Sequence, residues 1–178
     1  MTWQPEEFDD LAAELRRRVE ADFRSEADEV ERLVQLQRRR KATLRDIATT
    51  AMHQGQRLVL RAFEEEWSGE VLAVGADYLS LQTPMLLLDA RLDSVAIGLT
   101  PARQGGHSAK PASETFRARL TEFELSGEQV TLRSRVPALE VTGNIEVVAP
   151  DHLVVNCPEE RCYLPFEGVF MVIRPLPD

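Results

Sequence analysis

The sequence predicts an α+β protein: a long N-terminal helix followed by two tandem five-stranded β-barrels, each preceded by a short helix. Three observations predict it. From Pro5 to about Met52 there is no glycine and no further proline, and apolar residues recur every three or four positions. Beyond Gly55 the apolar spacing changes to two. The region after about residue 113 then repeats the region before residue 100, position by position.

Phe8, Leu11, Leu15, Val19, Phe23, Ala27, Val30 and Val34 lie at helical spacing and make one apolar face. Ser25 with Asp28 and Thr43 with Asp46 read as capping boxes, so the helix is expected to break or restart there. The stripe is thin and much of the segment is charged all round. Such a helix needs a partner, and the sequence leaves two open: the following barrels, or the same helix of a second copy in a coiled coil.

After Gly55, alternation marks short strands with turn residues between them, as in Arg57-Leu58-Val59-Leu60-Arg61 and Tyr78-Leu79-Ser80-Leu81-Gln82. The first unit reads as a helix over 43–53 and strands over 56–63, 67–75, 78–83, 85–90 and 93–98. Residues 100–113, with Pro101, Gly105, Gly106 and Pro111 and no periodicity, read as a flexible linker. Residues 115–125 fit both a helix, through Phe116, Leu120 and Phe123, and a strand, through Phe123 and Leu125.

The repeat is positional. Thr43, Arg45, Thr49, Gly55 and Leu60 recur as Thr115, Arg117, Thr121, Gly127 and Leu132, each 72 residues on. The stretch from Ser68, SGEVLAVGADYLSLQTP, recurs from Thr142 as TGNIEVVAPDHLVVNCP, 74 residues on. The extra two residues enter near the turn at Glu64 to Glu66. The domains expected are 1–42, a charged helical segment; 43–99, the first barrel; 100–113, the linker; and 114–178, the second barrel.

Gly69, Asp77, Leu79 and Leu81 in the first unit, and Gly143, Asp151, Leu153 and Val155 in the second, carry a further pattern: a glycine in an alternating strand, an aspartate at a turn, then a second apolar strand. It resembles the Sm-like family, the strongly bent SH3-like barrels of Sm proteins and the Hfq-type RNA chaperone. The resemblance implies an Sm-like barrel in each unit, with ring assembly through strand edges as the family's habit. Gly69 and Gly143 would permit a sharp bend, and Asp77 and Asp151 would bond backbone N–H groups of a tight turn. The residues that contact RNA in that family do not carry over. Its asparagine position is apolar or small here, and Ser94-Val95 and Gly168-Val169 replace its basic-glycine pair.

Composition narrows the function. The net charge of −9, from 21 basic and 30 acidic side chains, repels phosphate backbones except where basic residues cluster. They cluster at Arg16–Arg18 and at Arg38, Arg39, Arg40 and Lys41; the second run is the candidate nucleic-acid contact. No apolar run approaches the roughly 20 residues that cross a bilayer, and there is no export signal. Two cysteines give no disulfide framework, which fits the cytoplasm. Cys157 and Cys162 flank a hairpin turn at spacing that suits small strand-end residues, a cross-strand disulfide or half a metal site.

His53, His107 and His152 have no ligand or base at useful spacing, and no phosphate loop, nucleophile elbow or zinc motif occurs. Glu64-Glu65-Glu66 reads as a solvated turn. The expectation is therefore a non-enzymatic binding or assembly module with no cofactor and no metal. It would self-associate or dock a protein partner through the N-terminal helix, with RNA or DNA binding through Arg38–Lys41 as the alternative.

Overall fold

The computed structural model describes residues 5–101 and 113–176, in two units, Met1–Ala42 and Thr43–Asp178. In the first, α1 (Pro5–Lys41) is one uninterrupted helix. It runs through Ser25, so the Ser25–Asp28 spacing does not break it. A capping residue stabilises a helix start only where the backbone has already left helical geometry, and nothing near Ser25 forces that.

At Thr43 the chain does leave it. Thr43 is extended and caps α2 (Leu44–His53). Its hydroxyl accepts from the Asp46 N–H at 3.2 Å, and the Asp46 carboxylate accepts from the Thr43 N–H at 2.8 Å. Past α2, Gly55 takes φ +64°, a left-handed turn that other residues resist.

The strands that follow are β1 (Arg57–Ala62), β2 (Glu65–Val74), β3 (Tyr78–Gln82), β4 (Leu86–Arg91) and β5 (Ala96–Leu99). Then come α3 (Phe116–Ser126), β6 (Gln129–Arg135), β7 (Ala138–Val148), β8 (His152–Asn156), β9 (Arg161–Pro165) and β10 (Val169–Pro175). The segment 115–125, ambiguous in sequence, belongs to a helix that Thr115 caps. Most of the expected linker lies outside the described residues.

All ten strands join one antiparallel open sheet, in the order β5-β1-β2-β3-β4-β10-β6-β7-β8-β9. The α+β class with two separate five-stranded SH3-like/Sm-like barrels is thus corrected to a single, mostly β sheet. The last strand, β10, is inserted between the halves and pairs with β4 on one side and β6 on the other. An edge strand leaves a row of backbone donors and acceptors unpaired, and this junction satisfies two such rows at once.

The apolar cores are shared accordingly. Phe170 and Met171 of β10 pack with Leu58, Leu60, Leu79, Leu81 and Leu88 of the first half. Tyr78 of β3 packs with Phe116, Leu120, Phe123, Leu132 and Leu153 of the second. Neither half closes a core from its own residues.

Between the halves, the elements run in the same order. The register shift in β2 between Val71 and Ala73 has a counterpart in β7 between Ile145 and Val147. Both first hairpins turn through two residues, 63–64 and 136–137. The two extra residues of the second half lengthen its strands instead, as the added rung Arg135↔Ala138.

Candidate functional site

The junction of the halves holds the most concentrated polar chemistry of the described sheet unit. Asp89 projects from β4 with no exposed surface. Ser80 of β3 donates a hydrogen bond to Oδ1. Arg174 of β10 reaches Oδ2 through Nη2 at 3.4 Å. Arg119 of α3 places Nε 3.3 Å from Oδ2, an ion pair without hydrogen-bond alignment.

Both guanidiniums flank the Phe123 ring, 4.5 and 4.6 Å from its centre. Each also holds an outer carboxylate, Arg119 with Glu122 and Arg174 with Glu128. Burial works against the Arg119 charge, yet Asp89 and Glu122 outweigh it and raise its pKa. At Glu122 burial would push the carboxyl up, and hydrogen bonds from Ser113 and Arg119 bring it below the ordinary range.

A cavity of about 100 Å³ lies beside this cluster, lined by Tyr78, Ser80, Leu88, Asp89, Arg119 and Arg174 among others. It is smaller than the roughly 300 Å³ at which small-molecule sites begin. The Ser80 hydroxyl is bonded to one Asp89 oxygen, the two guanidiniums engage the other, and the carboxylate is fully buried. The chemistry of the cluster is that of a charged rivet that fixes β4, β10 and α3 in one register.

Strands β5 and β9 end the sheet. Thr100 N–H donates to the Arg57 carbonyl, so by antiparallel alternation the backbone groups of Ile97 and Leu99 face away from β1. Phe166 N–H donates to the Asp151 carbonyl, so those of Arg161 and Tyr163 face away from β8. Large apolar side chains are uncovered at both edges: Leu99 is 50% exposed and Tyr163 63%.

The residues singled out in the sequence are dispersed. Arg38, Arg39, Arg40 and Lys41 form the last turn of α1 and are all exposed. Cations are favoured at that end by the helix dipole, which gives the run a structural reason. In β2, a side-chain carbon at Gly69 would run into the Gln82 carbonyl, and in β7 one at Gly143 would meet the Asn156 carbonyl. Asp77 accepts from the Phe116 N–H at 2.7 Å, tying the β2–β3 turn to the start of α3. Asp151 instead contacts His152 Nδ1 at 2.7 Å.

Glu65 pairs with Arg133 at 2.6 Å and Glu66 with Arg61 at 2.7 Å, so two members of the acidic run are engaged in ion pairs. His53 is exposed at the end of α2, and His107 lies outside the described residues. Among the described residues no group of three or more His, Cys, Asp or Glu side chains gathers to hold a metal, and no helix is long and apolar enough to cross a membrane.

Sequence reasoning missed Asp89, Arg119 and Arg174. Their signal was present as departures from the repeat: the matching positions are Tyr163, Ile47 and Thr100, all uncharged. No protein-family model matches the chain and no curated protein matches it, so the comparisons identify no Sm-like family.

Proposed function

We propose that the protein is a non-catalytic assembly module that self-associates, built from two diverged copies of one unit. The observation that carries this reading is the pair of open sheet edges. Inside one chain the halves meet by β4 of the first pairing with β10 of the second. The same two kinds of edge, β9 and β5, are left unpaired at the ends of the sheet. A second chain offers each edge its complement, in a head-to-tail contact that closes into a ring or runs into a filament according to the rotation per step.

The expected register follows from the internal one. Val172 faces Leu132 on one side and Asp89 on the other. In the first half the counterpart of Leu132 is Leu60, which faces Ile97. Ile97 of one chain therefore lies opposite Tyr163 of the next.

The helix α1 supplies a second contact. Leu15, Phe23, Val30 and Val34 lie on one face at intervals of eight, seven and four residues, and all are exposed. Pairing this stripe with the same helix of another copy buries it in a coiled coil. The free thiols fit a reducing compartment, and we assign the protein to the cytoplasm.

Light scattering coupled to size exclusion tests the reading, with the ultraviolet absorbance ratio recorded before and after nuclease. A nucleic-acid-free oligomer is expected, and Leu99→Pro or Tyr163→Lys is expected to reduce its size, because each blunts one sheet edge. If only Val30→Glu with Val34→Glu reduces it, the helix alone makes the contact. A strictly monomeric wild type refutes the proposal. A nuclease-sensitive complex that Arg38→Ala, Arg39→Ala, Arg40→Ala and Lys41→Ala together abolish would put nucleic-acid binding in its place.

A further inference from the structure

The hairpin of β8 and β9 carries the two cysteines of the chain on the same face. Val155 lies opposite Cys162, and the Cys157 N–H closes the turn on the Glu160 carbonyl at 2.9 Å. Cys157 and Cys162 are thus diagonal neighbours across the strands. Their sulfurs are 3.4 Å apart, already in contact, and neither is bonded. Both side chains are half buried, resting against the second core with one side open to solvent. The corresponding positions of the first half are Thr83 and Leu88, so the hairpin folds without the pair.

We propose that Cys157 and Cys162 are a reversible dithiol–disulfide site that reacts with low-molecular-weight disulfides. The reaction runs in two exchanges. The Cys157 thiolate attacks one sulfur of an external disulfide, forming a mixed disulfide and expelling the first thiolate. Cys162 then gives up its proton and attacks the Cys157 sulfur, forming the internal bond and expelling the second. The two protein thiols lose two electrons and two protons, and the external disulfide gains them as two thiols.

The surroundings set the order of attack. The hydrogen bond with Cys157, then burial, then the nearby charges of Cys157 and Glu160 push the Cys162 thiol up to about 11. Cys162 therefore holds its proton more tightly than an ordinary thiol, with its S–H 3.6 Å from the Glu160 carboxylate, which leaves the first attack to Cys157. The bond closes only a short loop, so it constrains the unfolded chain little, which favours a bond that forms and opens over a permanent staple. Because β9 is the outer strand of the sheet, the oxidised form stiffens an edge.

The test uses the full chain, equilibrated without oxygen in glutathione buffers of graded ratio, quenched in acid, alkylated and weighed intact. Wild type is expected to convert to a form lighter by two hydrogens that resists alkylation at both cysteines. Cys157→Ser and Cys162→Ser are each expected to stop at a glutathione adduct on the remaining cysteine. Early quenching of wild type should catch the transient adduct on Cys157. Accumulation of doubly adducted wild type, disulfide-linked dimers as the main product, or two alkylatable thiols in the most oxidising buffer would overturn the site. An early adduct on Cys162 would overturn the order of attack.

Discussion

Asp89 is a fully buried carboxylate held by Ser80 and two guanidiniums, each with its own outer carboxylate. A network of this kind is worth little against well-packed apolar side chains, but removing one charge strands the others inside. Asp89→Ala is therefore expected to destabilise the protein by about 3 kcal/mol, read from urea midpoints. Replacing the whole trio by the residues at the matching positions of the other half, Asp89→Tyr with Arg119→Ile and Arg174→Thr, is expected to recover more than half of that loss. A triple variant no more stable than Asp89→Ala would show that the charges themselves hold the junction. The cluster was hard to see beforehand because it breaks the repeat. Matching residues suggested two like units, while the residues that join the halves are ones that do not match.

At the scale of elements, α3 shows why some boundaries were legible and others not. At α2, Thr43 and Asp46 stand at capping-box spacing and the structure makes both hydrogen bonds. In α3 the buried residues Phe116, Leu120 and Phe123 keep helical spacing, but Leu125 is 82% exposed, and counting it as core suggests a strand. The first four strands were visible within a residue or two through alternation, whereas the fifth, expected over 93–98, begins only at Ala96 after a 3-10 turn over Leu92–Ser94 and has no fully buried residue to mark it. The acid behaviour of α3 follows from Glu122. Burial opposes its charge, but Ser113 and Arg119 hold its carboxyl below the ordinary value. The unfolded chain then takes up this proton first as pH falls, so the contribution is present above the ordinary carboxylate range and is lost on acidification through the folded pKa. Glu122→Gln should lower the urea midpoint more at pH 6 than at pH 3. An equal deficit at both would show that Glu122 acts through shape and not charge.

The whole sheet unit is where sequence reading went furthest astray, for a physical reason. Periodicity and repeat matching report on residues near one another in the chain, whereas β4 and β10 meet across some eighty intervening positions, through backbone groups every residue has. The repeat suggested two closed cores, but Phe170 and Met171 complete the first and Tyr78 enters the second. Each half therefore loses apolar cover when the other unfolds, and residues 43–178 are expected to melt in one cooperative step. A Trp3→Phe variant leaves Trp67 as the only tryptophan and a reporter of the first half. Pulsed hydrogen exchange at the backbone N–H groups of β6, β7 and β8, read by mass spectrometry at each urea concentration, reports the second. The two urea transitions should coincide, and Met171→Ala, a change in β10, should shift both by the same amount, about 2 kcal/mol or more, because a buried methionine leaves a cavity in the shared core. If the tryptophan transition alone moved, or if the two midpoints stood apart in the parent, the halves would be independent domains and the junction a contact between neighbours.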